Sequence, residues 1–87
     1  MRGKICLVTG ANRGIGRATA EGLARLGATV ILVCRNRAAG EHARQEIVAA
    51  TRNPQIELLV ADLAVQADVR AVARAVRLQH QQLHLLI

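Results

Sequence analysis

A chain of 87 residues can form at most one small domain, and a composition of 52% hydrophobic and 21% charged residues is globular rather than disordered. The 12 cationic residues outnumber the 6 acidic ones, but the arginines are scattered along the chain and no Phe, Trp or Tyr is present to stack on bases. We therefore expect no nucleic-acid partner, and the short apolar run after Met1 predicts neither a signal peptide nor a membrane span.

The first half of the chain alternates apolar runs with one amphipathic stretch. Residues 5–8 form a continuous apolar run that ends at a glycine turn, as in a parallel strand buried on both faces. Residues 29–33 are apolar and mostly β-branched, which predicts a second strand. Between them Gly27 is placed to end a helix. The predicted inner face of that helix consists of Ile15, Thr19, Leu23 and Leu26.

The second half continues the same alternation. A helix is predicted near residues 38–50, ended by Asn53-Pro54, and a third strand follows at residues 56–60. A fourth strand is predicted to begin at residues 83–87, where the sequence stops. The inner face of the second helix is predicted to hold Ala43, Ile47 and Ala50. The third helix has an apolar stripe at steps of four, three and four, formed by Val65, Val69, Val72 and Val76.

This β-α-β-α-β-α-β order predicts an α/β fold, a Rossmann-type doubly wound parallel sheet truncated in its fourth strand. No repeat or linker interrupts it, so one architecture covers residues 1–87. On neighbouring strands, Cys6 would lie about three residues from the level of Cys34, which is too far for a disulfide at roughly 3.3 Å per residue. We expect reduced, buried thiols in a cytoplasmic protein.

The segment Thr-Gly-Ala-Asn-Arg-Gly-Ile-Gly at residues 9–16 lies between the first strand and the first helix. Gly10 allows a sharp turn, Gly14 allows close approach of a pyrophosphate, and Gly16 allows the helix to pack closely on the sheet. The helix N-terminus there offers unpaired N–H groups to an anion. A glycine-rich run alone is weak evidence, but its position between a buried strand and a helix predicts dinucleotide binding.

The spacing Thr-Gly-x-x-x-Gly-x-Gly resembles the short-chain dehydrogenase/reductase family, and the resemblance spans essentially the whole chain. It implies a doubly wound Rossmann fold and NAD(P)-dependent hydride transfer on alcohols, carbonyls, sterols or sugars. Val33-Cys34-Arg35 is similar to retinol-type and carbonyl-reducing members. In such a fold the residues that set the substrate and the oligomeric state come later in the chain.

By this resemblance, Gly10, Gly14 and Gly16 contact the pyrophosphate, and Ile15 offers its backbone N–H. Asp62, in Val-Ala-Asp-Leu after the third strand, resembles the aspartate that accepts from the adenine amino group, although such a residue is also common as a turn or capping aspartate. The remaining positions of the predicted cofactor site are Asn12, Asn36 and Leu63.

The end of the second strand bears on the choice between NAD and NADP. Enzymes that use NAD place an acidic residue near there, but no Asp or Glu occurs between Glu21 and Glu41. Arg35 and Arg13 are instead placed to bind a 2′-phosphate, since a planar guanidinium suits phosphate. We predict NADP(H) as the cofactor, with Arg37 a weaker third candidate and Arg17 a helix-surface residue.

The catalytic residues that the resemblance implies, a Tyr and a Lys four residues apart with a Ser and an Asn, have no match. The chain has no Tyr and no Ser, and its only lysine is Lys4. The implied Asn-Asn-Ala-Gly segment would follow Ile87. The three histidines, predicted to be surface or capping residues, form no metal-ligand pattern; they are His42, His80 and His84.

Two functional hypotheses follow, and nucleic-acid binding through the arginines, with a DNA affinity that falls steeply with salt, is a weaker third. The chain is either the N-terminal cofactor-binding part of an NADP-dependent oxidoreductase, inactive alone, or a non-catalytic nucleotide-binding module. The apolar edge Leu85-Leu86-Ile87 favours the first, because an isolated module would need such an edge covered or charged. A small alcohol or carbonyl substrate is expected only in a longer protein. The DNA sequence after the Ile87 codon would discriminate between the two hypotheses. A continuing open frame would favour the oxidoreductase, and an in-frame stop would favour the module.

Overall fold

The computed structural model describes residues 2–12, 14–79 and 85–86, and the predicted order of strands and helices is confirmed in them. Residues 83, 84 and 87 of the predicted fourth strand lie outside the described residues. The strands are β1 (Ile5–Thr9), β2 (Thr29–Cys34), β3 (Ile56–Val60) and β4 (Leu85–Leu86). The helices are α1 (Gly14–Arg25), α2 (Arg37–Thr51) and α3 (Gln66–Gln79).

The four strands form one parallel sheet in the order β3-β2-β1-β4. Cys6 of β1 is paired with Val30 of β2, so it lies four residues before the level of Cys34, not the three expected. Both thiols are free and buried, as predicted.

The sheet is covered by helices on both faces, which confirms the doubly wound architecture. On one face Val30 and Leu32 of β2 pack with Ala20 of α1 and Ile47 of α2. On the other face β1 and β2 pack with Val76 of α3. Burial on both faces explains why the strands are continuous apolar runs instead of alternating ones.

The predicted inner face of α1 is partly wrong. Ile15 and Leu26 are 87% and 62% exposed, whereas Ala20 and Ala24 are buried. Leu23 is half-buried against the core. The reason is that Ile15 lies in the first turn and Leu26 lies beyond Arg25, so only the middle of α1, with its small side chains, contacts the sheet.

The inner faces of α2 and α3 also differ in part from the prediction. Ala43 and Ile47 are buried, but Ala50 is exposed because the buried face continues by a four-residue step to Thr51, which is half-buried. On α3, Val76 is buried and Val72 is half-buried. Val65 and Val69, at the start of the predicted stripe, are each 44% exposed.

Helices α1 and α2 each end at a residue with positive φ, at the amino edge of the sheet. Gly27, with φ 90°, ends α1 as predicted: its N–H donates to the Ala24 carbonyl, and the Ala28 N–H donates to the Leu23 carbonyl. Helix α2 ends at Thr51, before the predicted Asn53-Pro54 break, because Arg52 adopts a left-handed conformation with φ 58°.

Candidate cofactor-binding site

The glycine turn leaves β1 at its carboxyl end and leads into α1. Gly10 and Gly14 have φ values of 59° and 64°, in the left-handed region where glycine is free of strain. The Gly10 N–H donates to the Val33 carbonyl oxygen at 3.0 Å, which ties the turn to β2. The backbone conformation therefore favours glycine at both positions, independently of any ligand.

Gly16 lets the start of α1 lie against this turn. A Cβ at Gly16 would lie 2.5 Å from the Gly10 carbonyl oxygen and 3.1 Å from that of Thr9. The approach brings the first turn of α1, with Ile15 in it, to the carboxyl edge of the sheet. The first N–H groups of a helix have no partner within the helix, so this position is suited to an anion such as a pyrophosphate.

A cleft of about 610 Å³ lies beside the turn, along the carboxyl ends of β1, β2 and β3. Ligands of open parallel sheets bind outside this edge. Six of the predicted cofactor residues line the cleft, and they are Gly10, Asn12, Arg35, Asn36, Asp62 and Leu63. Gly14, Ile15 and Gly16 lie at the start of α1 and do not line it, and Arg13 lies outside the described residues.

The sequence interpretation missed several small or apolar residues of this cleft. They are Thr9, Val33, Cys34, Ala39, Ala61 and Ala64. Val33 and Ala39 fall in a predicted strand and in the second predicted helix, and the signal that could have located most of the six is their position at or just after a strand end. They form the apolar part of the wall.

Arg35 follows β2 directly and is exposed at the cleft. Its guanidinium forms no ion pair with a carboxylate of the described residues. The next residue, Asn36, caps α2: its side-chain oxygen accepts from the Ala39 N–H at 2.9 Å. The cap holds the Arg35 backbone at the mouth of the cleft, and Arg37 begins α2 as another exposed cation.

Asp62 follows β3 and is held by its own turn. Its Oδ1 accepts from the Ala64 N–H at 3.0 Å, and its backbone N–H donates to Oδ2 of Asp68 at 2.7 Å. The turn role that the sequence left open is therefore present in the structure. Asp62 is half-buried and is the one carboxylate among the residues that line the cleft.

Cys34 forms part of the cleft wall at the end of β2. Burial raises the pKa of its thiol, although backbone N–H groups of Ala11 and Asn12 donate toward the sulfur and act in the opposite direction. Burial likewise raises the pKa of the Cys6 thiol, which lies deeper in the sheet. Neither cysteine has the lowered pKa that marks a nucleophilic thiol.

Arg17, predicted as a helix-surface residue, joins α1 to α2 through an ion pair with Glu46 at 2.6 Å. His42 Nε2 lies 3.2 Å from the same carboxylate. The hydrogen bond from Arg17, more than the nearby charges of Arg17 and His42, holds the pKa of Glu46 below its usual value. Within residues 2–12, 14–79 and 85–86, no group of three metal-ligating side chains is found, and His80 and His84 lie outside the described residues.

Comparison with known proteins agrees with this geometry. The family model described as short chain dehydrogenase matches residues 4–87. The chain is 45% identical over 85 residues to retinol dehydrogenase 12 of Bos taurus and 47% identical over 85 residues to retinol dehydrogenase 11 of Mus musculus. Each alignment covers 98% of this chain and 27% of the relative.

Solved structures of the same family have the same fold. A metagenomic short-chain oxidoreductase in complex with NADP matches 99% of this chain and 38% of its own, with a TM-score of 0.91 at 36% identity. L-Sorbose reductase of Gluconobacter frateurii, complexed with NADPH and L-sorbose, matches 99% of this chain and 32% of its own, with a TM-score of 0.90 at 30% identity.

The chain therefore belongs to the short-chain dehydrogenase/reductase family of oxidoreductases, whose cofactors are nicotinamide dinucleotides. It spans about a quarter of the length of the retinol dehydrogenases it matches. In the part of the chain that the structure describes, no helix is long and apolar enough to cross a membrane.

Proposed function

We propose that this chain is the NADP(H)-binding part of a short-chain dehydrogenase/reductase that moves a hydride between NADP and an alcohol or carbonyl substrate. The observation that carries the proposal is Arg35, a cation that has no ion pair with a described carboxylate and lies at the mouth of the cleft. Among the residues that line the cleft, the one carboxylate is Asp62, at the end of a different strand. A negatively charged 2′-phosphate suits that place better than a ribose hydroxyl does.

The described residues fit such a cofactor along the carboxyl edge of the sheet. The glycine turn and the start of α1 would hold the pyrophosphate, since Gly16 brings the free N–H groups of α1 close to Gly10. Arg35 would hold the 2′-phosphate, helped by Arg13 as the sequence predicts. Asp62 and Leu63 would contact the adenine. The bound cofactor would supply the hydride.

The substrate is proposed from the relatives. Two of them are named retinol dehydrogenases at 45% and 47% identity, which favours an apolar alcohol or its carbonyl product. The chain contains no Tyr and no Ser, so its own residues would bind the cofactor and would not carry the proton transfer. The non-catalytic module predicted as an alternative would bind the same cofactor. The cytoplasmic location stays a prediction.

Calorimetric titration of the 87-residue chain with NADPH and with NADH tests the cofactor choice. Hydrogen bonds to charged groups contribute about 1.5–3 kcal/mol, so Arg35→Ala is expected to weaken NADPH binding by roughly 10- to 150-fold and NADH binding little. Arg25→Ala is the matched control, because it removes an equal charge at the opposite end of α1. Equal losses for both cofactors in Arg35→Ala would overturn the proposal.

A further inference from the structure

We propose that Asp68 is a positioning residue for the adenine end of the cofactor site: from the first turn of α3, its carboxylate binds the backbone N–H of Asp62 and sets where that residue stands in the cleft. The inference rests on the proposed function, in which Asp62 contacts the adenine. It gives a role to a residue that the sequence interpretation did not single out.

The Asp62 N–H is the first backbone donor after β3 leaves the sheet. The preceding N–H, of Ala61, donates to the Cys34 carbonyl oxygen at 2.9 Å and closes the pairing of β3 with β2. Because β3 is the outer strand of the described sheet, no further strand of that sheet lies beside it to accept from Asp62. Oδ2 of Asp68 takes this place at 2.7 Å, a distance typical of a hydrogen bond to a charged carboxylate.

Further hydrogen bonds close the turn from Asp62 to Asp68. The Asp62 carbonyl accepts from the Val65 N–H at 3.0 Å, and Oδ1 of Asp62 accepts from the Ala64 N–H at 3.0 Å. The Val65 carbonyl accepts in turn from the Asp68 N–H at 3.0 Å. The backbone and one carboxylate oxygen of Asp62 are therefore fixed. In the part of the chain that the structure describes, no group donates to Oδ2 of Asp62, which is left for a donor on a ligand such as the adenine amino group.

Asp68 acts on the cleft only through this turn. Asp62 lines the cleft and Asp68 does not, so Asp68 has no direct contact with a ligand there. Apolar packing holds this end of α3 loosely, since Val65 and Val69 are each 44% exposed. The hydrogen bond that Asp68 accepts from Asp62 therefore ties the start of α3 to the end of β3. It fixes the Asp62 backbone before a cofactor arrives, which lowers the ordering cost of binding.

The charge of Asp68 has a second effect, which a control variant separates from the first. An acidic residue in the first turn stabilises a helix through its dipole, and Asp68 is the acidic residue in the first turn of α3. Gln66 begins the same turn and is exposed, so Gln66→Glu restores a negative charge there without restoring the acceptor at position 68. Asp68→Ala combined with Gln66→Glu therefore keeps the charge at the helix end and lacks the hydrogen bond.

The test measures, by calorimetry, the affinity of the 87-residue chain for NADPH and for its deamino analogue, in which a carbonyl oxygen replaces the adenine amino group. Wild type is expected to bind NADPH more tightly, because only NADPH offers the amino donor to Asp62. We expect Asp68→Ala to weaken NADPH binding by about three- to tenfold and binding of the analogue by less than about twofold. Asp68→Asn, which keeps an oxygen acceptor, should retain most of the NADPH affinity, and Asp68→Ala with Gln66→Glu should not regain it.

Hydrogen exchange of the Asp62 amide in the ¹⁵N-labelled chain without cofactor reports on the hydrogen bond itself, and it should be faster in Asp68→Ala than in wild type or Asp68→Asn. Equal losses for NADPH and the analogue in Asp68→Ala would overturn the proposal, because a merely structural defect weakens both. Recovery of NADPH affinity by Gln66→Glu would also overturn it, since charge alone would then suffice. If wild type binds no NADPH, the proposed function fails. If wild type binds NADPH and Asp68→Ala binds it equally well, only the role of Asp68 is refuted.

Discussion

A β-carbon on Gly16 would lie 2.5 Å from the carbonyl oxygen of Gly10, a separation that Cβ atoms in proteins essentially never show. The Gly10 oxygen belongs to the backbone and a Cβ is fixed directly to its own backbone, so neither can rotate away as the end of a flexible side chain would. The absence of a side chain at Gly16 therefore allows α1 to lie this close to the end of β1. It is the structural reason for a glycine at the third position of the motif.

Gly16→Ala should therefore displace the turn from the first residues of α1. We expect a loss of NADPH affinity of more than about tenfold and a lower free energy of unfolding, measured by calorimetry and by urea denaturation. Gly22→Ala is the control, since Gly22 is exposed in the same helix and a Cβ there would meet nothing within 4 Å. It should stabilise the chain by about 0.5–1 kcal/mol. If Gly16→Ala bound NADPH with wild-type affinity, the close approach of Gly16 to the Gly10 carbonyl would not matter for the cofactor, which would contradict this account.

The fold and the backbone part of the site were predictable from the sequence. A glycine turn between a buried strand and a helix has few structural solutions, and apolar runs of five or six residues indicate strands buried on both faces. Side-chain burial on the helices was less predictable. Ile15 and Ala50 fit the helical period but lie where the helix does not contact the sheet, and periodicity alone does not show where that contact begins or ends.

Contacts between distant segments were beyond the sequence interpretation. The sequence predicts Asn53 only as part of a helix break, yet its side chain is buried and its amide donates to the carbonyl oxygens of Ala24 and Ala28, at 3.0 and 2.7 Å. Those partners are 29 and 25 residues away, so no local pattern indicates them.

Asn53 should be the most costly polar residue to remove at the amino edge of the sheet. Asn53→Ala leaves the Ala28 carbonyl and the Gln55 N–H without the partner that Asn53 supplies, while the Ala24 carbonyl keeps the Gly27 N–H, so we expect a loss of about 2–4 kcal/mol in the free energy of unfolding. Asn53→Asp keeps the acceptor for Gln55 but loses the donors, and should also destabilise. A loss below about 0.5 kcal/mol for Asn53→Ala by urea denaturation would show that the bridge contributes little.

The Arg17–Glu46 ion pair gives α1 and α2 a pH-dependent link. Because the pKa of Glu46 is lowered in the folded state, chiefly by the Arg17 hydrogen bond, its contribution to stability is present above the ordinary glutamate pKa and is lost as pH falls through the lowered value. Glu46→Gln should lower the urea midpoint near neutral pH, and the difference from wild type should shrink below about pH 4. Glu21→Gln, which removes a 3.4 Å pair within α1, is the control with the smaller effect. A difference that grows on acidification would refute the link.

The two cysteines should be unreactive in the folded chain. Both are buried and burial raises the pKa of each thiol, so little thiolate is present at neutral pH. Alkylation by iodoacetamide, followed by mass spectrometry, should label neither Cys6 nor Cys34 until urea unfolds the chain. Rapid labelling of Cys34 in native buffer would show that the cleft wall opens.

Chemical-shift mapping with NADPH tests most directly whether the glycine turn and Arg35 hold the cofactor. We expect the largest ¹H–¹⁵N shifts at Gly14, Ile15 and Gly16, with a second group at Arg35 and Asp62, and a weaker response of Arg35 when NADH replaces NADPH. Shifts confined instead to the exposed arginines of α3, which are Arg70, Arg74 and Arg77, would mean that the dinucleotide binds only through general charge attraction. That result would contradict cofactor binding at the turn.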